Sequence, residues 1–191
     1  MNLAINDTFS ITDICGDDKP AYLEHLADRQ IYEQTLNIPH PYTEADAEWW
    51  INHVAEQTRR QGRSVNWAIR RSDGLLVGGI GYHDLELGKT HSAELGYWLA
   101  RPYWGQGLMT AAVKRLSEYS FAELGLIRIA AHVFHFNVAS ARVLEKAGFQ
   151  FEGRLRKHYK KDGKIFDGLV YARVSSVGGD IPLQTRTPPS G

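Results

Sequence analysis

The sequence predicts a mixed α/β fold, with a central, mostly antiparallel sheet of about seven strands flanked by about four helices. Three observations carry this. Apolar runs over residues 65–99 are broken by tight-turn signals, as in an antiparallel meander. The apolar period then changes to that of a helix over 107–124. A strand dense in Ile, Ala and Val follows at 127–134, giving a strand–helix–strand unit in the middle of the chain.

Taken in order, residues 9–14 alternate and read as a first strand. Asp17 or Asp18 caps a helix running to about Ala27, with Tyr22, Leu23 and Leu26 on its apolar side. Residues 38–42 hold two prolines and cannot be helical. Thr43 is an N-cap signal, with Glu44 and Asp46 in the first turn of a helix that should stop at Gly62. Strands at 65–71, 75–84 and 92–99 are separated by Ser72-Asp73-Gly74 and Gly88-Lys89-Thr90. Leu108, Ala112, Leu116 and Tyr119 then recur at helical spacing. Asn137 caps a short helix closed by Gly148, and 149–159 with 164–174 form a hairpin about Lys161-Asp162-Gly163. The order is β-α-α-β-β-β-α-β-α-β-β. Residues 1–175 are expected to form one domain, and 176–191, rich in Gly, Pro, Ser and Thr, a disordered tail.

Composition narrows the function classes. Of 191 residues, 43% are hydrophobic and 23% charged, which is ordinary globular usage. Lys plus Arg equals Asp plus Glu, 22 each, so no overall field draws the chain to nucleic acid or an anionic membrane. One cysteine, Cys15, precludes an intramolecular disulfide and argues against a thiolate metal site. No signal peptide is visible and no run approaches ~20 apolar residues, so a cytoplasmic protein is expected, with no membrane partner and no metal.

The informative segment runs from Glu94 to Thr110. A strand ends near Leu99, a short loop carries Gly105 and Gly107, and a helix opens. A helix start leaves N–H groups unpaired at the positive end of the macrodipole, and glycines let an anion approach the main chain. Read alone, two glycines in such a loop serve an ordinary connection as readily as a phosphate cradle. Thr110 breaks a dinucleotide-type Gly-x-Gly-x-x-Gly, and no Gly-Lys-Ser/Thr follows to make a P-loop.

The stretches Ala93-Glu94-Leu95-Gly96-Tyr97-Trp98-Leu99 and Tyr103-Trp104-Gly105-Gln106-Gly107-Leu108-Met109-Thr110 resemble the acetyl-CoA motif of the GNAT acetyltransferase superfamily. Asn137-Val138-Ala139-Ser140-Ala141-Arg142-Val143-Leu144-Glu145-Lys146-Ala147-Gly148-Phe149 and Glu152-Gly153-Arg154-Leu155-Arg156 extend the match over about residues 8–174. Within that superfamily the chain is most similar to Rim-type ribosomal-protein N-terminal acetyltransferases. The resemblance implies a splayed sheet and acetyl-CoA as cosubstrate. Main-chain amides from Trp104 through Gly105, Gln106, Gly107 and Leu108 to Met109 would hold the pyrophosphate, and Thr110 could add a hydroxyl. Leu99 and Asn137 would bind the pantetheine arm. Glu94 would take the amine proton, and Ser140 would protonate the departing thiolate. Many relatives carry Gln or Arg where this chain has Pro102, which weakens a side-chain phosphate contact but not the backbone cradle.

Acetyl transfer to an amine needs a neutral amine, a polarised thioester carbonyl and a route for the lost proton. The backbone amide of Leu99 or Ala100 could serve the carbonyl. From position alone, Glu94 is equally an exposed strand carboxylate or a salt-bridge partner. His40, Tyr42 and His83 are candidate acceptor-site residues. His132 and His135, at an odd spacing on a strand, cannot share a metal and read as surface or packing residues. Arg154, Arg156, Lys157, Lys160 and Lys161 form a basic hairpin that is usually solvated, though it could meet phosphates. The acceptor is a protein N-terminus or a small amine (aminoglycoside, polyamine or amino acid). A sensor that binds acetyl-CoA without turnover is the reading from another class. The protein is expected as a monomer or homodimer, with an edge strand at 164–174 available for pairing.

Overall fold

The computed structural model describes residues 1–83 and 85–176. Among these, eight strands and five α-helices follow one another along the chain. The strands are β1 (Asn2–Ala4), β2 (Phe9–Asp13), β3 (Asn66–Arg71), β4 (Leu76–His83), β5 (Ser92–Leu99), β6 (Arg128–Phe134), β7 (Gln150–Lys161) and β8 (Lys164–Val174). The helices are α1 (Lys19–Leu26), α2 (Arg29–Gln34), α3 (Glu44–Gln61), α4 (Leu108–Glu123) and α5 (Val138–Lys146). The strands form one sheet in the order β1-β2-β3-β4-β5-β6-β8-β7.

Every described neighbour pair is antiparallel except β5 and β6. That parallel pairing is short: Ser92 faces Arg128, Ala93 faces Ile129, and Glu94 faces Ala130, after which no pairing continues. Each strand stays paired on its other side, β5 with β4 as far as Leu99 and β6 with β8 as far as Phe134. The sheet therefore opens between β5 and β6 just beyond Glu94.

Strand alternation sorts the residues around this opening onto two faces. One face packs on α4 and α5 through a core that includes Trp67, Ile69, Leu95, Leu116 and Ile129. Each such side chain fully withdrawn from water contributes roughly 1.5–3 kcal/mol. The other face carries α1–α3 over a smaller cluster around Tyr22, Leu26, Ile31, Ala47 and Leu76. Local signals place the helix ends. Thr43 caps α3, accepting from the Asp46 N–H while Asp46 accepts from the Thr43 N–H at 2.8 Å. Gly62 closes α3 with φ +75°.

The structure adds β1 and α2 to the expected elements. β1 is too short to show alternation, and α2 is six residues long, started by Asp28 accepting from the Gln30 N–H at 2.9 Å. The strand at 164–174 is not an edge: β8 lies between β6 and β7, and β7 is the outer strand. Asp84, expected to end β4, and the tail from residue 177 onward lie outside the described residues. No helix among the described residues is long and apolar enough to cross a membrane.

Candidate active site

A cleft of about 1160 Å³ passes through the opening between β5 and β6 and reaches both faces of the sheet. On the α4 side it is bordered by the loop after β5. Gly105 and Gly107 both have φ near +75° (73° and 79°), a conformation costly for any residue with a Cβ. Gly107 is the N-cap of α4 and supplies no side-chain cap, so the first-turn N–H groups of Leu108, Met109 and Thr110 have no partner within the helix. A Cβ at Gly105 or Gly107 would meet nothing within 4 Å, which leaves the approach to these amides open. The arrangement fits a diphosphate. Arg142 and Lys146 of α5 line the same cleft.

Not every amide of that loop is free. The Trp104 N–H donates to the Arg101 carbonyl at 3.1 Å, which removes it from the expected cradle. The Trp104 indole Nε1–H donates to the Leu99 carbonyl at 2.7 Å, and Gln106 Nε2 to the Pro102 carbonyl at 2.7 Å, so both side chains stiffen the loop. Arg101, beside the departing Pro102, is held by Asp28 at 2.7 Å. Ala100 is also committed: its N–H donates to Val77 O at 2.8 Å, because the β4–β5 ladder extends one residue past the strand. Of the two amides considered for the thioester carbonyl, only Leu99 remains. Alternation of the ladder turns its N–H away from β4 and towards the gap.

Glu94 and Ser140 line the cleft from opposite faces. The Glu94 carboxylate and His132 Nδ1 pair at 3.0 Å, with the two side chains 44% and 24% exposed. That pairing, outweighing desolvation, holds the Glu94 carboxyl below its ordinary 4.5, with His83 and His158 adding to the effect. The same bond raises His132 above its ordinary 6.5. On the other face, Tyr97 OH and Ser140 Oγ are 2.7 Å apart, and burial pushes the Tyr97 phenol upward, so it stays protonated. Asn137 lines the cleft with both ends of its amide engaged. Its Oδ1 accepts from the Ser140 N–H at 3.0 Å and its Nδ2 donates to the Gln34 carbonyl at 3.2 Å.

The α1–α3 side of the cleft has a floor of glycines covered by flat side chains. A Cβ at Gly79 would lie 2.4 Å from Trp98 Nε1, one at Gly81 2.2 Å from Asn66 Oδ1, and one at Gly96 2.6 Å from His83 Nε2. Trp98, Asn66 and His83 thus lie over positions with no side chain of their own. Tyr42 lines the wall, and Trp50 donates to Tyr22 OH at 3.2 Å. The hairpin tip closes this side: Tyr32 OH donates to Asp162 at 2.5 Å, and Lys161 Nζ donates to the Tyr32 and Thr35 carbonyls.

The structure therefore gathers Glu94, Leu99, Ser140, Asn137, Tyr42, His83 and, of residues 104–110, all but Gln106 around one cleft. His40 is not among its lining residues; its ring packs on Tyr32 at 5.3 Å. The acids at the start of α3 have structural partners, since Lys19 bridges Glu44 and Glu48 at 2.5 and 2.6 Å. Lys161 of the basic hairpin is likewise spent on α2. The residues that sequence reasoning passed over are His132, which pairs with Glu94, and Tyr97, which pairs with Ser140. Nothing local marks either partner, and only the alternation that puts 94 and 132 on one face gives a hint.

Opened sheet, uncapped helix start and through-going cleft define an α/β protein with one cleft crossing its sheet. The chain belongs to the acetyltransferase (GNAT) domain family, whose match spans residues 10–150. It is 40% identical over 116 residues to the uncharacterized N-acetyltransferase YoaA of Bacillus subtilis, covering 60% of this chain and 65% of YoaA. It is 38% identical over 130 residues to YdaF of the same organism, named as a ribosomal N-acetyltransferase, covering 67% of this chain and 70% of YdaF. Among solved structures it is similar to Mycobacterium smegmatis RimJ in complex with CoA-disulfide, with TM-score 0.79 and 25% identity over 92% of this chain and 86% of that one. Against three of the curated relatives the chain matches only 54–65% of their length.

Proposed function

We propose that this chain transfers the acetyl group of acetyl-CoA to the α-amino group of a polypeptide N-terminus. The observation that carries this reading is the single cleft, with an uncapped helix start on one face and a carboxylate at the point of opening on the other. The first-turn amides of α4, with Gly105 and Gly107, hold the diphosphate, and Arg142 and Lys146 supply positive charge beside it. The Leu99 N–H and the α5 start at Asn137 orient the arm that threads the gap. Acetyl-CoA brings the activated thioester, so no covalent enzyme nucleophile is needed. Glu94 meets the incoming ammonium group from the α1–α3 side. Ser140, backed by the protonated Tyr97, donates the proton that the leaving thiolate takes up.

Charge favours an N-terminus over a free amino acid. On the α1–α3 side the lining includes Asp46 and Glu94, and among the described lining residues of that side there is no Lys or Arg. A free α-carboxylate would enter with no cation to meet it, whereas a peptide has an amide there. One relative's name points the same way, YdaF being named as ribosomal, whereas AaaT of Escherichia coli is named as an L-amino acid N-acetyltransferase.

The test is mass spectrometry after incubation with acetyl-CoA and a panel of free-N-terminus peptides, Nα-blocked peptides, amino acids, aminoglycosides and polyamines. Acetylation confined to free N-termini is expected. Modification of small amines alone would transfer the assignment to them, and tight acetyl-CoA binding without any product would make the chain a sensor.

A further inference from the structure

Resting on that reading of acetyl transfer, we propose that His132 is the terminal acceptor of the amine proton, oriented through Nδ1–H by Glu94. The geometry comes from the place where the sheet opens. Glu94 is the last β5 residue paired with β6, opposite Ala130, and His132 is two residues on, hence on the same face. The next β5 position on that face is Gly96, whose missing side chain leaves room for the His83 ring. Glu94 and His132 meet at 3.0 Å and both line the cleft.

The pair has the arrangement in which a carboxylate fixes the imidazole tautomer and stabilises the imidazolium that forms. With Nδ1–H given to Glu94, the remaining ring nitrogen, Nε2, is the basic one. The charged and titratable groups around the pair are His83 from β4 and His158 and Tyr159 from β7, which face Glu94, and Arg128 on β6, which faces His132. β8 presents Val170 opposite His132. The His158 ring is exposed and lies 6.4 Å from the His132 ring.

Proton matching explains why Glu94 does not keep the proton. An N-terminal ammonium has a pKa of about 7.7–8.0, so transfer to a carboxylate held below its ordinary 4.5 is steeply uphill. An imidazole raised above 6.5 is close to matched. In the step, one N–H bond of the ammonium breaks and its electron pair stays on nitrogen for attack. The proton passes by way of water at Glu94 to Nε2, where an N–H bond forms, and Nδ1–H remains with Glu94. The second nitrogen proton balances the one taken by the departing thiol. His132 must therefore be neutral at the start, and activity falls as pH drops through its raised value.

The experiment is a pH profile of kcat/KM for thiol release, run with two peptides of different amine pKa, beside an NMR titration of the His132 ring. In the wild type the acid limb should coincide with the His132 ring titration for both peptides. In His132→Gln the rate should fall at least tenfold and the limb should instead follow each peptide's amine. In Glu94→Gln the ring should titrate lower, because burial and Arg128 then act on it without the carboxylate. A wild-type limb that follows the amine, or a limb and rate unchanged by His132→Gln, would overturn the role of His132 while leaving acetyl transfer intact. No thiol release from any acceptor at any pH would remove both.

Discussion

On the α4 and α5 side of the sheet, the cleft wall is held by side chains with essentially no exposure, such as Ala112, Val113, Leu116 and Leu144. On the α1–α3 side the elements are fastened by polar ties. Arg70 grips Asp18, itself 3% exposed, with bonds of 2.7 and 2.9 Å. Lys19 bridges two glutamates of α3, Arg101 holds Asp28, and Lys161 and Asp162 of the hairpin tip fasten α2. Close apolar packing fixes one wall for a ligand of constant shape. On the other wall a smaller apolar cluster is supplemented by directional ties, which leaves it more open to change by small substitutions. That division suits a donor half that stays constant and an acceptor half that sets specificity.

Substitutions on each side sharpen the contrast. Glu94→Gln keeps the size of the side chain but removes the charge that meets the amine and holds His132. Turnover should fall by about 10²–10³, with acetyl-CoA affinity unchanged by calorimetry. A loss of affinity instead would mean that Glu94 belongs to the donor half. On the opposite face, Ser140→Ala and Tyr97→Phe should each lower kcat by about tenfold, and the double variant little further, because the two hydroxyls act as one donor. Additive losses would separate them. The smallest effect is expected from Gly96→Ala. Its Cβ forces the His83 ring to move, so KM for the acceptor should rise several-fold while acetyl-CoA binding is kept. An unchanged acceptor KM would show that the glycine floor does not shape specificity.

The two halves also differ in how far they could be read from sequence. The donor half is local: β5, the glycine loop and α4 lie within residues 92–123, so turn chemistry and period change mark it directly. Thr43, Gly62 and Asn137 were readable for the same reason, since a cap is decided by its immediate neighbours. The acceptor half is assembled across distance. Tyr32 meets Asp162 over a separation of 130 residues, and Lys161 reaches the Thr35 carbonyl over 126. His132 looked like a packing residue because its odd spacing to His135 excludes a shared metal but says nothing about β5. Conversely, the Ala100 and Trp104 amides looked available because the ladder and the 3-10 turn that use them appear only in three dimensions.

The most direct test of the account is calorimetric titration of acetyl-CoA into the wild type and into Gly107→Val. The variant places a branched side chain at φ +79° at the mouth of the cradle, with space around it in the folded chain. Strain there costs about 1–2 kcal/mol, so the fold should survive, as circular dichroism would verify. The account predicts clear binding to the wild type and at least tenfold weaker binding to the folded variant. Equal affinity for both, or no binding to the wild type, would contradict the cradle at the start of α4.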